Sequence, residues 1–253
     1  NSYNPLAREL ESYRWDGVCR LDTWLTKYCG VEPTPYTRAA GATWLRGAVA
    51  RALSPGVKVD AALILQGDQG AGKSSVFAVL GGDYFLDELR DLDGKDTKMQ
   101  IGRSWIIEIA ELSAMARHEV DQVKGFLSKR FDNYRPVWGR RPMDVPRRCI
   151  FGGSTNRSEY LKDDTGNRRF MPVKVGAIDL AALKADREQL LAEAIVSWRE
   201  LGAEGLYLPA EVREAHREAT EERRQADAWE EPIRAYLSGR SSVAMGDVLS
   251  DAL

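Results

Sequence analysis

The apolar run Ala61-Ala62-Leu63-Ile64-Leu65 stops abruptly at a polar, glycine-rich stretch, the pattern of a short strand buried on both faces. Before it the apolar period is helical. Leu6, Leu10 and Tyr13 form one stripe, and Leu21, Trp24, Leu25 and Tyr28 a second. A third helix is expected from Tyr36 to Leu53, with Trp44, Leu45, Ala48 and Val49 on its inner face and Ser54-Pro55-Gly56 as its stop. Trp15-Asp16-Gly17 reads as a turn, and the aromatic residues of this region read as core. After the run the periods alternate. Ser74 to Leu80 is helical and closes at Gly81-Gly82-Asp83. Tyr84 to Leu92 carries no decisive period, and Gly94 to Met99 reads as a turn entering a short helix. Ser104 to Leu112 reads as a buried strand, Ser113 to Ser128 as a helix, and Cys149 to Asn156 and Phe170 to Val175 as strands. Leu180 to Leu201 is a long amphipathic helix, with Leu183, Leu190, Leu191, Ala194, Ile195 and Trp198 in its stripe. Pro209 opens a further helix carrying Glu211 to Glu222, whose alternating charges read as a solvated face.

Strands separated by helices predict an α/β fold with a parallel central sheet in a three-layer core. The expected organisation is a helical region over 1–56, a phosphate-loop core over 57–176, a helical region over 177–230, and the start of a further small domain over 231–253. Asn1 is not a methionine, so the chain is expected to be a fragment of a longer protein.

The stretch after the first strand carries chemistry. Gly67, Asp68, Gln69, Gly70, Ala71, Gly72, Lys73, Ser74 and Ser75 match G-x-x-x-x-G-K-[ST], between an expected strand and an expected helix. Glycines let the backbone turn tightly and aim its N–H groups at phosphate oxygens, and the helix N-terminus adds partial positive charge. In such a loop Lys73 would reach the β- and γ-phosphates of ATP, and the Ser74 hydroxyl would ligate Mg²⁺. An NTPase also needs acids at the exit of a neighbouring strand. Glu108 and Glu111 stand there, Glu108 to support Mg²⁺ and Glu111 to orient the attacking water, with the reverse assignment as the alternative; Asp87 or Glu88 is the fallback. Asn156 tips the next strand, where an amide would position that water. Arg168 and Arg169 follow a Gly-Asn turn and suit charge stabilisation on a γ-phosphate from a neighbouring subunit. One of the two is expected to hold its own turn through a carboxylate such as Asp164.

Composition sharpens this picture. The chain has 253 residues, 43% hydrophobic and 29% charged, an ordinary globular profile. No apolar run approaches a membrane span, and three scattered cysteines suggest reduced thiols, so a cytoplasmic location is expected. Two histidines and no C-x-x-C argue against a structural zinc site. The net charge of −2 hides a segregation. Lys124 to Lys174 holds 13 lysines and arginines against 5 acids, whereas Ala177 to Glu230 holds 7 against 13. Within the basic part, residues 129–148 interleave aromatic and basic side chains around Gly139 and read as a protruding hairpin. Single-stranded or forked DNA is the expected partner, contacted through phosphates by Lys129, Arg130, Arg135, Arg140 and Arg141.

These motifs together resemble the virulence-associated E (VapE) family of phages, prophages and phage satellites. The resemblance rests on Trp15-Asp16-Gly17, Pro55-Gly56-Val57-Lys58, the loop Gly67 to Ser75, Glu108-Ile109-Ala110-Glu111-Leu112, Tyr134-Arg135-Pro136, Thr155-Asn156 and Asp164 to Phe170, and runs from about Asn4 to Trp198. The family is similar to superfamily 3 helicases of the AAA+ class. The resemblance implies an AAA+-like core and ATP with Mg²⁺ bound between subunits of a homo-oligomeric ring, a hexamer. It also implies a replicative helicase role, with a primase or other replication proteins as further partners. It casts Lys73 and Ser74 as the Walker A pair, Glu108 and Glu111 as the acidic motif, Asn156 as the sensor and Arg168 or Arg169 as the finger. Ile109-Ala110 splits the acidic pair, a departure that leaves the two roles open, and a C-terminal winged-helix-like piece is expected to be missing. Two other functions compete with a translocase: an initiator or scaffold that uses ATP only to assemble, and a small-molecule kinase.

Overall fold

In a computed structural model the chain is described at residues 4–87, 89, 94–109, 117–135, 141–161, 167–224, 230–240 and 242–243. Three helices lead: α1 (Pro5–Ser12), α2 (Trp24–Cys29) and α3 (Pro35–Leu53). The sheet opens with β1 (Ala62–Gln66), followed by α4 (Lys73–Gly81), the short β2 (Phe85–Leu86), α5 (Lys95–Ile101) and β3 (Ile106–Ile109). Helix α6 (Arg117–Leu127) leads into a hairpin of β4 (Phe131–Tyr134) and β5 (Met143–Pro146). Then come β6 (Ile150–Thr155), β7 (Phe170–Lys174), α7 (Leu180–Leu201), α8 (Arg213–Glu221) and α9 (Glu230–Leu237).

Five strands form one parallel sheet in the order β2-β3-β6-β1-β7. Strand β6 is inserted between the loop-bearing β1 and the acidic β3, so their neighbour in space is not their neighbour in sequence. Both faces of the sheet are covered, as parallel sheets require. Alternate residues of β1 divide between two cores: Leu63 and Leu65 pack with α1, α2, α3 and α7, and Ala62 and Ile64 pack with α6 and Ile101.

Helix α3 departs from its expected amphipathic form. It is buried nearly all round, Arg46 and Arg51 included. It lies between the sheet and α7, so it has no solvent face to leave polar. Backbone carbonyls take several of its polar atoms: the Arg46 Nε donates to Gly205 O, the Trp44 Nε1 to Phe151 O at 2.7 Å and the Arg51 Nη2 to Val59 O at 2.7 Å, whereas the Arg51 Nε and Nη1 are buried without a partner among the described residues. The charged helix near the C-terminus also differs from expectation. Residues Ala210–Val212 form a 3₁₀ turn, and α8 begins only at Arg213. Its His216 and Thr220 are buried, so a helix whose sequence is dominated by charge still has a packed side.

Gly152 in β6 fixes where α4 starts. A Cβ there would lie 2.3 Å from the Phe77 ring, so only glycine lets α4 settle onto the strand. That contact lets α4 lie close against the middle of β6, while the short link from Gln66 to Lys73 leaves the helix N-terminus near the carboxyl end of β1.

Candidate functional site

The glycine-rich loop spans the end of β1 and the start of α4. Gly70 and Gly72 have φ of 78° and 87°, a region costly for any residue with a Cβ. Gly72 caps α4 without a side-chain hydrogen bond, so no capping side chain occupies the first-turn N–H groups, where an anion would be favoured. Lys73 is buried, and its ammonium donates to Gly67 O at 2.9 Å and Asp68 O at 2.7 Å. The loop root is pinned by Gly67 N donating to Thr155 O and Val175 N donating to Gln66 O.

Glu108, 1% exposed on β3, accepts a hydrogen bond from Ser74 Oγ at 2.8 Å. Two residues 34 positions apart in sequence are thus brought together. Glu111 and Glu88 lie outside the described residues, so only the Glu108 half of the acidic motif has a position. Asn156 follows β6 directly, and Gln66 pairs in register with Thr155, so Asn156 stands beside the loop root at the same carboxyl edge. In an open parallel sheet this is the edge where ligands bind.

The donor set fits Mg²⁺. The ion prefers hard oxygen ligands and takes few from the protein when phosphates supply the rest. A hydroxyl and a carboxylate within 2.8 Å of each other at a helix N-terminus meet that need. Among the described residues no group of three or more His, Cys, Asp or Glu side chains could hold a metal.

Arg168 and Arg169 lie at the other edge. They form a 3₁₀ turn just before β7, and Phe170 is level with Ala62. At about 3.3 Å per strand residue, the turn lies roughly 20 Å along the sheet from Gly67. No arginine side chain spans that distance, so neither can reach its own chain's loop. Arg169 Nε donates to Ser128 Oγ at 2.8 Å, which ties its turn to the residue after α6, just ahead of the hairpin. Asp164 lies outside the described residues. Arg168 is exposed and makes no hydrogen bond or ion pair among them. It lines a cavity of about 420 Å³ with Lys58, Asp60, Arg213, Tyr207 and His216. Of these, Lys58 belongs to a motif visible in the sequence, whereas Arg213 carries no local signal.

The hairpin is an antiparallel pair with Phe131 opposite Pro146 and Tyr134 opposite Met143. Its root is welded to the core. Arg147, 2% exposed, grips Asp132 with two hydrogen bonds of 2.7 Å and lies 4.2 Å from the centre of the Phe126 ring. Arg130 Nε donates to Gly56 O at 2.7 Å, so part of this expected DNA contact is spent on the root. Lys129 Nζ lies 5.7 Å from the Phe126 ring centre. Arg135 and Arg141 are exposed, and Arg140 lies outside the described residues.

A parallel sheet with an inserted strand between a glycine-rich loop and an acidic strand defines the α/β phosphate-loop class of fold. Within that class, a model of the virulence-associated protein E-like domain matches residues 10–226, and the chain belongs to that family. No curated protein sequence matches it. Among solved structures, the A form apo structure of the NrS-1 C-terminal region is similar, with a TM-score of 0.61 and 13% identity over 89% of this chain. The apo structure of the NrS-1 C-terminal region (305–718) is also similar, with a TM-score of 0.60 and 12% identity. The chain spans 56% of the length of either, and at this identity the likeness speaks for the fold alone. Among the described residues no helix is long and apolar enough to cross a membrane.

Proposed function

We propose that this chain is an ATP-hydrolysing domain acting on DNA in the replication of a phage or other mobile element, working as a translocase in a homo-oligomeric ring. One observation carries the reading: the Ser74–Glu108 hydrogen bond of 2.8 Å, beside Lys73 at a helix N-terminus that no side chain caps. Phosphoryl transfer asks a protein chiefly for positioning and charge stabilisation, and this edge supplies both.

In this reading the loop N–H groups and Lys73 hold the phosphates of ATP. Lys73 exchanges a carbonyl partner for a phosphate oxygen. Ser74 and Glu108 would hold Mg²⁺, which supplies charge neutralisation at the β- and γ-oxygens. Asn156 orients the attacking water, with Glu111 as the expected base. Arg168 of the adjoining subunit meets the γ-phosphate, and this is supported by its distance from its own loop and by its lack of partners. The hairpin tracks DNA phosphates through Arg135 and Arg141, with Arg130 and Lys129 at its base.

ATP turnover measured with and without single-stranded DNA tests this reading. Stimulation by DNA is expected, and Glu108→Gln should bind ATP yet hydrolyse it at least about 10²-fold more slowly, since the amide keeps the volume and loses the charge. Binding of ATP and DNA without turnover would favour an assembly role instead. Turnover only with a small acceptor would favour a kinase.

A further inference from the structure

Three segments far apart in sequence meet at Arg223, just after α8. Its Nε donates to Gln66 Oε1 at 2.8 Å, and Gln66 is the residue before the glycine-rich loop. Its Nη1 donates to Ala219 O at 2.7 Å, which ties the same guanidinium to the end of α8. Its backbone carbonyl accepts from the N–H groups of both Tyr160 and Leu161 at 3.0 Å. Those residues close the segment that begins at Asn156. The arginine side chain is 13% exposed, so water competes little for these contacts. Its ion pair with Glu222, itself 74% exposed, adds little.

The site needs Asn156 and the loop to keep a fixed separation. Asn156 leaves β6 at its last residue and is exposed, so the strand alone fixes only its backbone start. Arg223 holds the far end of that segment by its carbonyl and the loop root by its guanidinium.

We propose that Arg223 is a positioning residue for ATP hydrolysis, setting the Asn156 segment against the root of the phosphate loop without itself touching the nucleotide. This rests on the ATPase reading above. A planar fork suits the task because Nε and Nη1 reach two acceptors in fixed directions, whereas a lysine ammonium serves one of them.

The test is a cycle of Arg223→Ala, Gln66→Ala and the double variant, read by steady-state ATP turnover and by amide exchange without nucleotide. Arg223→Ala is expected to lower kcat by about 10-fold with KM for ATP within about 2-fold, inside the 10²-fold that a misplacement of about 1 Å can cost. Gln66→Ala should do the same, and the double variant no more than either, because both remove one contact. Arg223→Lys should recover part of the loss, and Arg217→Ala, on the exposed side of α8, none of it to begin with. In Arg223→Ala the amides of Tyr160 and Leu161 should exchange faster than in the parent. Wild-type kcat in Arg223→Ala, multiplicative losses in the double variant, or unchanged exchange at Tyr160 and Leu161 would each overturn the proposal. If the parent protein itself turns over no ATP, the ATPase reading fails, and the exchange arm still reads the clamp.

Discussion

The two edges of the sheet carry charge in opposite ways. At the carboxyl edge the loop and the groups around it are held by partners: Lys73 on two loop carbonyls, Ser74 on Glu108, Arg223 on Gln66, with the Asn156 amide left exposed beside them. At the amino edge Lys58, Asp60, Arg168 and Arg213 surround a cavity of about 420 Å³, and none of their side chains makes a hydrogen bond or ion pair among the described residues. Paired polar groups define a geometry that a single chain maintains. Unpaired charges around a cavity, three positive against one negative, hold no geometry of their own and favour an anion brought from outside. In the proposed reading these are two half-sites on one chain, the first preorganised and the second completed by contact with another subunit's nucleotide.

The largest effect should come from the carboxyl edge. Lys73→Ala is expected to reduce ATP turnover to background and to weaken nucleotide binding, because the β/γ charge then meets no ammonium in a site built around one. Unchanged turnover would remove the phosphate-loop assignment.

Next comes the amino edge. Arg168→Ala should lower turnover by about 10³-fold or more while ATP and DNA still bind. Mixed with Lys73→Ala, it should regain activity, since some interfaces then join an intact loop to an intact Arg168. Arg169→Ala should lose less, because Arg169 is engaged with Ser128 and acts through its turn. An ATPase titration of each variant against Lys73→Ala decides this. Failure of rescue with oligomers present would place the arginine's action within its own subunit and erase the distinction between the edges.

A smaller effect is expected at the hairpin. Arg135→Ala with Arg141→Ala should weaken single-stranded DNA binding about equally across sequences and reduce the salt slope by roughly 1.4, about 0.7 per lost phosphate contact. Sequence-selective loss at an unchanged slope would mean base readout instead. Arg147→Ala should instead unseat the hairpin by leaving Asp132 buried without a partner.

The two edges were unequally legible in the sequence. The carboxyl edge follows local rules: an apolar run, a glycine spacing and a helix start all lie within fifteen residues, so Lys73 and Ser74 are visible before any folding. Glu108 is visible as an acid in an apolar strand. The amino edge is assembled from Lys58, Arg168 and Arg213, brought together by β1 lying next to β7 and by α8 packing against β7, and no local pattern encodes that adjacency. Arg147 shows the same limit in the other direction. It lies in the basic and aromatic stretch 129–148 and nothing local marks it as core, yet register places it over Asp132. The period of α3 predicts a one-sided helix, and its burial all round comes from α7, more than a hundred residues later.

The smallest expected effect concerns pH at the amino edge. His216 is buried on α8, its Nε2 lies 2.7 Å from Phe170 O, and its ring stacks on Tyr36 with centroids 5.5 Å apart. Burial lowers its pKa from the ordinary 6.5, and the bond to Phe170 only partly offsets this. The folded chain therefore binds this proton less readily than the unfolded one. The sign follows: stability is fully present above pH 6.5 and is lost as pH falls from there through the folded value. Asp16 and Asp186 are held below the ordinary carboxylate range by Arg20 and by Lys27, so their losses begin at lower pH. Burial raises Glu193, which works with the opposite sign. His216→Gln keeps a donor for Phe170 O and does not titrate. Thermal unfolding of parent and variant between pH 7.5 and 5 is the measurement, taken in steps of about half a unit across the His range. The parent should lose a few degrees of Tm relative to the variant below pH 6.5. Parallel curves would mean that His216 titrates alike in both states and that the cavity beside it is wet enough to hold an imidazolium. The amino edge would then be an open, hydrated surface, and the unpaired cations there would need no incoming anion to balance them.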